Sequence, residues 1–370
     1  MFNEQDHLFM QRALLLAQQA LYVTSPNPRV GCVLVKNGDV IGQGHTQRAG
    51  SHHAEVMAIH DARAKGHDTA GATAYVTLEP CSHFGRTPPC TESMISAGVT
   101  RVIAAMEDPN PLVAGKGLKR LRDVGMDVRC GLFATEAREL NLGFVRRMTE
   151  GMPWVRMKAA VSLDGRTALE NGQSQWITSQ AARDDGHHWR ARACAVLTGI
   201  GTIRADNAQL NVRAVQTPRQ PRRIVVDSRL EISLDAKVLN SPGGVVTLVH
   251  TVDVPQREQE LRDRGVHLLR IAANPEGKND LTAMLRALAS EGVNELHVEA
   301  GSKLNGSLIA AGLVDELLIY IAPKLLGPGE PLAALPPLTA LDQAQELRIT
   351  QVQPVGDDVR ILARFTKKGL

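Results

Sequence analysis

Apolar positions recur at helical spacing near the start of the chain. Met10, Ala13, Leu14, Ala17 and Leu21 form one stripe behind Asp6, which predicts a helix capped by that aspartate. The pattern then shortens. Residues 30–36 and 40–45 read as strands on either side of Asn37-Gly38-Asp39, a hairpin signal. Helical spacing returns over 54–65, with Val56, Ile59 and Ala62 on one face. Residues 72–78 and 99–105 read as further strands, and Cys90 opens a helix to about residue 97 that Gly98 stops. Beyond the turn at Asp108-Pro109-Asn110-Pro111 come a helix to about 124, a short apolar run at 128–130 and a helical stretch over 136–141. Such alternation predicts a layered α/β domain with helices flanking one sheet.

Polar, Gly and Pro residues at 149–153 interrupt this pattern, so the chain is divided there into domains 1–150 and 151–370. A length of 370 residues suits two domains. The second begins with a strand over 154–161 that runs into Ser162-Leu163-Asp164-Gly165-Arg166. Thr178 or Ser179 caps a helix to residue 192, and β-branched apolar runs follow at 193–198, 223–227, 245–249 and 266–271. A helix over 281–289 precedes Leu296-His297-Val298-Glu299, a strand ending in a glycine turn at Gly301 and a helix start. A strand over 316–322 and a hairpin-like pair at 349–355 and 359–365 close the chain.

Composition narrows the classes of partner. Hydrophobic content of 43% and charged content of 22% are ordinary for a globular protein. A net charge of +3 and 3% aromatics suit neither a basic nucleic-acid stripe nor a base-stacking platform. No apolar run approaches the ~18 residues of a membrane span, and the first residues show no basic region followed by an apolar core. Five scattered cysteines make no disulfide framework, so a reducing, cytoplasmic setting is expected.

The chemistry concentrates in His53-Ala54-Glu55 and in the loop from Pro80-Cys81 to Pro89-Cys90. An imidazole and two thiolates make three ligands for tetrahedral zinc and leave its remaining position to water. Zinc lowers the pKa of such a water from about 15.7 towards roughly 7. Glu55, two residues from His53, can carry that proton to a departing amine. Zinc deaminases have this constellation, written H-x-E…P-C-x-x-C, but here eight residues separate the cysteines. Each element is weak alone. A structural site closes with four protein ligands, and no C-x-x-C pair exists here to complete one; His52 and His83 are the competing imidazoles.

Taken together, His53-Ala54-Glu55 and Pro80-Cys81-Ser82-His83-Phe84-Gly85-Arg86-Thr87-Pro88-Pro89-Cys90 resemble the bifunctional deaminase–reductases of riboflavin biosynthesis. Ser25-Pro26-Asn27-Pro28-Arg29-Val30-Gly31 and Ser162-Leu163-Asp164-Gly165-Arg166 extend the likeness through nearly the whole chain. The resemblance implies an α/β protein with an N-terminal cytidine-deaminase-like three-layer domain and a C-terminal dihydrofolate-reductase-like domain. It further implies zinc-dependent deamination of a phosphoribosylamino-diaminopyrimidine, then NADPH-dependent reduction of its ribosyl group to ribityl. A homo-oligomer, dimer or tetramer, is expected, with neither nucleic acid nor membrane as partner.

The resemblance places Asn27 in the pyrimidine pocket, where an amide can both donate and accept. The long cysteine loop is read as holding the phosphoribosyl tail through His83, Arg86 and Thr87. Family members carry a His ahead of His-Ala-Glu where this chain has His45-Thr46, which leaves open which side chain lines that wall. In the reductase half the resemblance implies Ala160, Trp176, Thr202, Asp206 and Ser228 near NADPH. The turn Gly301-Ser302-Lys303-Leu304-Asn305-Gly306-Ser307 joins them, because amides at a helix N-terminus suit a pyrophosphate. It also implies Ser174, Arg190, Leu210, Arg213 and Glu299 for the substrate, with the two arginines as phosphate partners. Lys158 and Asp206 are the candidate groups for assisting ribose ring opening.

Overall fold

A computed structural model describes residues 2–83 and 88–366; Arg86 and Thr87, read above as phosphate contacts, lie outside the described residues. The chain divides into two compact units, Met1–Met152 and Pro153–Leu370.

The first unit runs α1 (Glu4–Gln19), β1 (Gly31–Lys36), β2 (Asp39–His45), α2 (Ala54–Ala64), β3 (Thr73–Val76), α3 (Cys90–Ser96), β4 (Arg101–Ala104), α4 (Lys116–Asp123), β5 (Asp127–Cys130), α5 (Ala134–Leu140) and α6 (Leu142–Glu150). Its five strands lie in the order β2-β1-β3-β4-β5. β1 is antiparallel to both β2 and β3, and β3, β4 and β5 are parallel. The β1–β2 turn carries Asn37 and Gly38 at φ 55° and 87°, the left-handed pair that a tight hairpin needs.

Glycines set the layers. A Cβ on Gly31 would lie 2.0 Å from the Ala13 carbonyl oxygen of α1, and one on Gly42 would lie 2.3 Å from the Ala58 carbonyl oxygen of α2. Gly31 pairs with His45 and Gly42 with Leu34, so the two glycines face opposite sides of the sheet. Helices therefore cover both faces, and Cys32, Val33, Leu34, Val76 and Ile103 are buried between them.

The second unit continues with β6 (Trp154–Ser162), β7 (Arg166–Leu169), α7 (Gln180–Arg192), β8 (Ala195–Gly199), α8 (Ile200–Asp206), β9 (Arg222–Val226), α9 (Lys237–Asn240) and β10 (Val246–His250). Then come α10 (Pro255–Arg262), β11 (His267–Arg270), α11 (Leu281–Ser290), β12 (Glu295–Val298), α12 (Ser302–Ala310), β13 (Glu316–Ala322), β14 (Gly329–Pro331), β15 (Leu347–Val355) and β16 (Asp358–Phe365). Nine strands form one sheet in the order β11-β10-β9-β8-β12-β6-β13-β16-β15. The first seven are parallel, and β16 and β15 add antiparallel at one edge. Because those seven run the same way, their carboxyl ends open along one rim, where ligands of open α/β sheets bind.

One face of this sheet is charged beneath α7. Arg156 of β6 is buried between Glu295 and Glu316, at 3.1 and 2.6 Å, with its guanidinium 4.6 Å from the Trp189 ring centroid. Replacing one partner alone would strand a buried charge. Asp6, expected as a helix cap, is instead the fourth residue of a capping box closed by Asn3. Its carboxylate turns inward to accept from Tyr75 Oη at 2.9 Å and from Arg101 Nη2 at 3.1 Å.

Candidate active sites

His53 is the N-cap of α2, in extended backbone, and its side chain makes no capping bond. Its imidazole is thereby left to other partners. Cys81 follows β3 across Glu79-Pro80, and Cys90 begins α3 after Pro89. His53 Nδ1 lies 3.3 Å from Cys90 Sγ and 3.7 Å from Cys81 Sγ. The three donor atoms fall within 4.8 Å of one another. A nitrogen and two sulfurs so placed fit zinc, and no further His, Cys, Asp or Glu joins the group among the described residues.

The electrostatics of the group concentrate charge on Cys81. Its thiol is pulled down to about 4, first by the hydrogen bond from Cys90 and against burial, with His53 adding to the pull. Cys90 is pushed up by holding that bond and by burial. Glu55, buried one residue inside α2, is pushed up to about 7 by burial and then by the Cys81 charge, with His53 opposing. A carboxyl in that range can take or release a proton near neutrality.

Asn27 is half-buried in the loop before β1, and its N–H donates to Thr24 O at 2.8 Å. His45 pairs with Gly31 on the face that meets α1, so strand alternation turns Thr46 to the opposite face, that of α2. Thr46 is buried, and its hydroxyl has no hydrogen-bond partner among the described residues. His83 is exposed.

In the second unit the parallel topology gathers the expected residues on one rim. Ala160 lies near the end of β6, Thr202 follows β8, Ser228 follows β9, and Glu299 to Ser307 follow β12. A Cβ on Gly301 would lie 3.8 Å from Thr202 Oγ1, and the Leu304 side chain reaches within 3.3 Å of the Cβ position on Gly199. The two helix starts are neighbours. α12 has no side-chain cap. Several side chains of its first turns are engaged within the protein: Ser302 Oγ donates to Glu330 at 2.8 Å, and Asn305 Nδ2 donates to Ala300 O and Leu332 O. Gly306 admits the Ala334 carbonyl, 2.2 Å from where a Cβ would sit. Lys303 and Ser307 are exposed. Ser228 Oγ accepts from Asn279 Nδ2 at 3.0 Å, which fixes its orientation. Trp176 is 64% exposed under the Arg183 guanidinium, 4.5 Å from its ring centroid.

Arg190 makes a bidentate pair with Glu299 at 2.5 and 2.7 Å. Arg213 is the exposed one, anchored by Nη1 to Asn211 Oδ1 at 2.5 Å. Leu210 is buried in one core cluster with Val196 and Val225 and has φ 57°. Asp206 is exposed and accepts from Ser174 Oγ at 3.4 Å. Lys158 instead feels Glu299 and Arg190; burial lowers its ammonium pKa, with Glu299 opposing. Burial raises the Glu299 carboxyl, but Arg190, His297 and Lys158 override it and hold the group well below the usual range.

Glu79 and Asn141, absent from every sequence motif above, have buried side chains that hold the loops carrying Cys81 and Asn27. A charged residue wedged between the apolar strand and Pro80-Cys81 was the available signal for Glu79. Asn141 carried none.

Residues 3–106 match the cytidine and deoxycytidylate deaminase zinc-binding region, and residues 153–361 match the RibD C-terminal domain. The chain is 46% identical to the riboflavin biosynthesis protein RibD of Escherichia coli K12, over 96% of this chain and 98% of that one. It is 45% identical to the protein of the same name from Haemophilus influenzae, over 100% and 99%. Among solved structures, Acinetobacter baumannii RibD superposes with a TM-score of 0.90 at 42% identity, over 98% of this chain and 99% of that one. A Thermotoga maritima diaminohydroxyphosphoribosylaminopyrimidine deaminase/5-amino-6-(5-phosphoribosylamino)uracil reductase superposes with 0.86 at 31% identity, over the same shares.

Proposed function

The chain belongs to the RibD family of riboflavin-biosynthesis deaminase–reductases, and from that premise we propose which side chains carry its two reactions, and in what order. The first unit deaminates 2,5-diamino-6-(5-phosphoribosylamino)pyrimidin-4-one to the corresponding uracil. The second reduces the ribosyl group of that uracil to ribityl with NADPH. His53, Cys81 and Cys90 hold zinc, which when bound acidifies a water. Glu55 takes a proton from the attacking water and returns it to the amine nitrogen. Oxygen joins the ring carbon, the carbon–nitrogen bond breaks, and ammonia leaves. The observation that carries this reading is the nitrogen and two sulfurs within 4.8 Å, beside a buried carboxyl pushed up to about 7.

For the second reaction Thr202, Ser228 and the α12 turn would hold NADPH, which when bound supplies a hydride. Lys158 and Asp206 assist opening of the ribose, which exposes C1′ to reduction. The depressed ammonium pKa of Lys158 supports a proton-transfer role there. Arg213 receives the substrate phosphate, and Arg190 acts through Glu299 by fixing its carboxylate. Assembly as a homo-oligomer belongs to the same reading. β15 is an edge strand with Ile349 and Val352 58% and 59% exposed, a surface suited to a second copy. No helix among the described residues is long and apolar enough to cross a membrane, and the reading places the enzyme in the cytoplasm.

The test follows ammonia release and NADPH oxidation together on the diaminopyrimidine substrate. Ammonia is expected without NADPH, and NADPH oxidation only after deamination. NADPH consumed with no ammonia released would reverse the proposed order.

A further inference from the structure

Glu79 is buried, 3% exposed, between β3 and the ligand loop. Its Oε2 accepts the N–H of Asp108 at 3.0 Å and of Gly115 at 2.9 Å. Its Oε1 accepts the N–H of Gly117 at 2.8 Å and of Leu118 at 3.2 Å. The main-chain N–H of Glu79 donates to Met106 O at 2.9 Å. Both ends of the residue are thus tied to the segment between β4 and the first turn of α4. That helix has no side-chain cap of its own: its N-cap is Gly115, left-handed at φ 82°. The Glu79 carboxylate supplies from outside what a capping residue supplies from within.

The same helix start presses on the next residue. A Cβ on Gly117 would lie 2.0 Å from the Pro80 carbonyl oxygen, so only glycine permits this approach. Pro80 has a fixed φ and no N–H, which leaves little slack between the clamp and Cys81. On the far side, Cys81 Sγ accepts the Cys90 N–H at 3.3 Å, and its carbonyl accepts the Thr91 N–H at 3.2 Å. Cys81 therefore hangs between two fixed points. One is the start of α3, which also carries Cys90. The other is Glu79.

We propose that Glu79 is a positioning residue for the metal: by gathering four amides it fixes the Cys81 thiolate at the place where His53 and Cys90 can share an ion with it. A strand end needing only packing would be served by an apolar side chain, without the cost of burying a carboxylate. The inference rests on the zinc reading above but assigns a residue outside the ligand set.

The experiment uses the full chain, apo and reloaded, with Glu79→Gln and Gly117→Ala. Glu79→Gln keeps shape and removes two acceptor sites. Gly117→Ala keeps the carboxylate and pushes on Pro80. Zinc affinity is read by competition with a chromophoric chelator, and ligand geometry by the absorption spectrum of the Co²⁺-substituted protein. Each variant is expected to bind zinc about 10–100-fold more weakly and to shift the Co²⁺ spectrum. NADPH oxidation on the deaminated substrate should stay at the wild-type rate, because Glu79 lies in the first unit. A folded Glu79→Gln protein with wild-type zinc affinity and an unchanged spectrum, altered only in melting temperature, overturns the inference. If that variant does not fold, Gly117→Ala decides by the same two readouts. Wild-type protein that takes up no zinc overturns the metal reading and this inference with it.

Discussion

Asn141 holds both main-chain groups of Arg29: the Arg29 N–H donates to Asn141 Oδ1 at 2.8 Å, and Asn141 Nδ2 donates to the Arg29 carbonyl at 2.9 Å. The Arg29 guanidinium adds a bond to Leu140 O at 2.7 Å. Together these fasten the loop that carries Asn27 to the α5–α6 junction. Asn141→Ala removes these two bonds and a third buried one, donated by Nδ2 to Ala137 O at 3.2 Å, worth roughly 1.5–4.5 kcal/mol together. The expected result is a KM for deamination raised about tenfold, since 1.4 kcal/mol is a factor of ten, with zinc content and NADPH oxidation unchanged. A variant that loses melting temperature but keeps its KM would assign Asn141 to the fold alone.

Glu55→Gln separates proton transfer from metal binding. The amide keeps the shape of a side chain that is not among the three donors. Zinc content should match wild type, while deamination falls by about 10²–10⁴-fold, the usual worth of a positioned general acid–base. The same protein, given the deaminated substrate, should oxidise NADPH at the wild-type rate. Near-full deaminase turnover in this variant would mean that another group moves the proton.

The sequence carried the first centre because its chemistry is local: His53 and Glu55 sit on one turn, and Cys81 and Cys90 bracket one loop. What holds that centre is not local. Glu79 reaches main-chain groups as far as 39 residues on, and Asn141 and Arg29 are 112 apart. Strands were legible where apolar runs are buried on both faces, as in β8 and β10. Of the four helices that escaped, α6, α8, α9 and α10, both α8 and α10 bury very little. α8 sinks only Ile203, and α10 buries Leu261 and the charged Glu258. Neither offers an apolar stripe to read. Asp6 looked like a cap because Tyr75 and Arg101, its true partners, lie 69 and 95 residues away. The Glu299 partner of Arg190 was illegible for the same reason, lying 109 residues distant.

Arg190 and Arg213 should therefore fail differently. Arg190→Met leaves the mostly buried Glu299 carboxylate without its bidentate partner, and breaking such a pair costs about 3–5 kcal/mol. The second unit should unfold at distinctly lower urea. Arg213→Met removes an exposed cation, so stability should hold while KM for the phosphorylated substrate rises. Equal stability losses in the two variants would sink the distinction; so would an unchanged KM in Arg213→Met.

Acid should weaken the second unit in two steps, and the sign follows from which state binds protons. His187 is held down to about 4, first by burial and then by Arg190 and Arg213; His297, fully buried, is lowered by burial first. Unfolded histidine takes up its proton near 6.5. Between about 6.5 and 4 the unfolded chain binds more protons than the folded one. The contribution of His187 is therefore complete above about 6.5 and drains away as pH falls, at up to ~1.4 kcal/mol per pH unit for each histidine. Glu299 lies well below its usual range, so its contribution is present above about 4.3, the unfolded value, and is lost only under stronger acid. All three tryptophans, Trp154, Trp176 and Trp189, lie in the second unit, so their fluorescence reports its unfolding directly. Urea midpoints should fall steadily from about pH 7 to 5, and His187→Gln should flatten that slope by the share of one proton. A midpoint constant over this interval would mean that neither imidazole is held neutral by the fold.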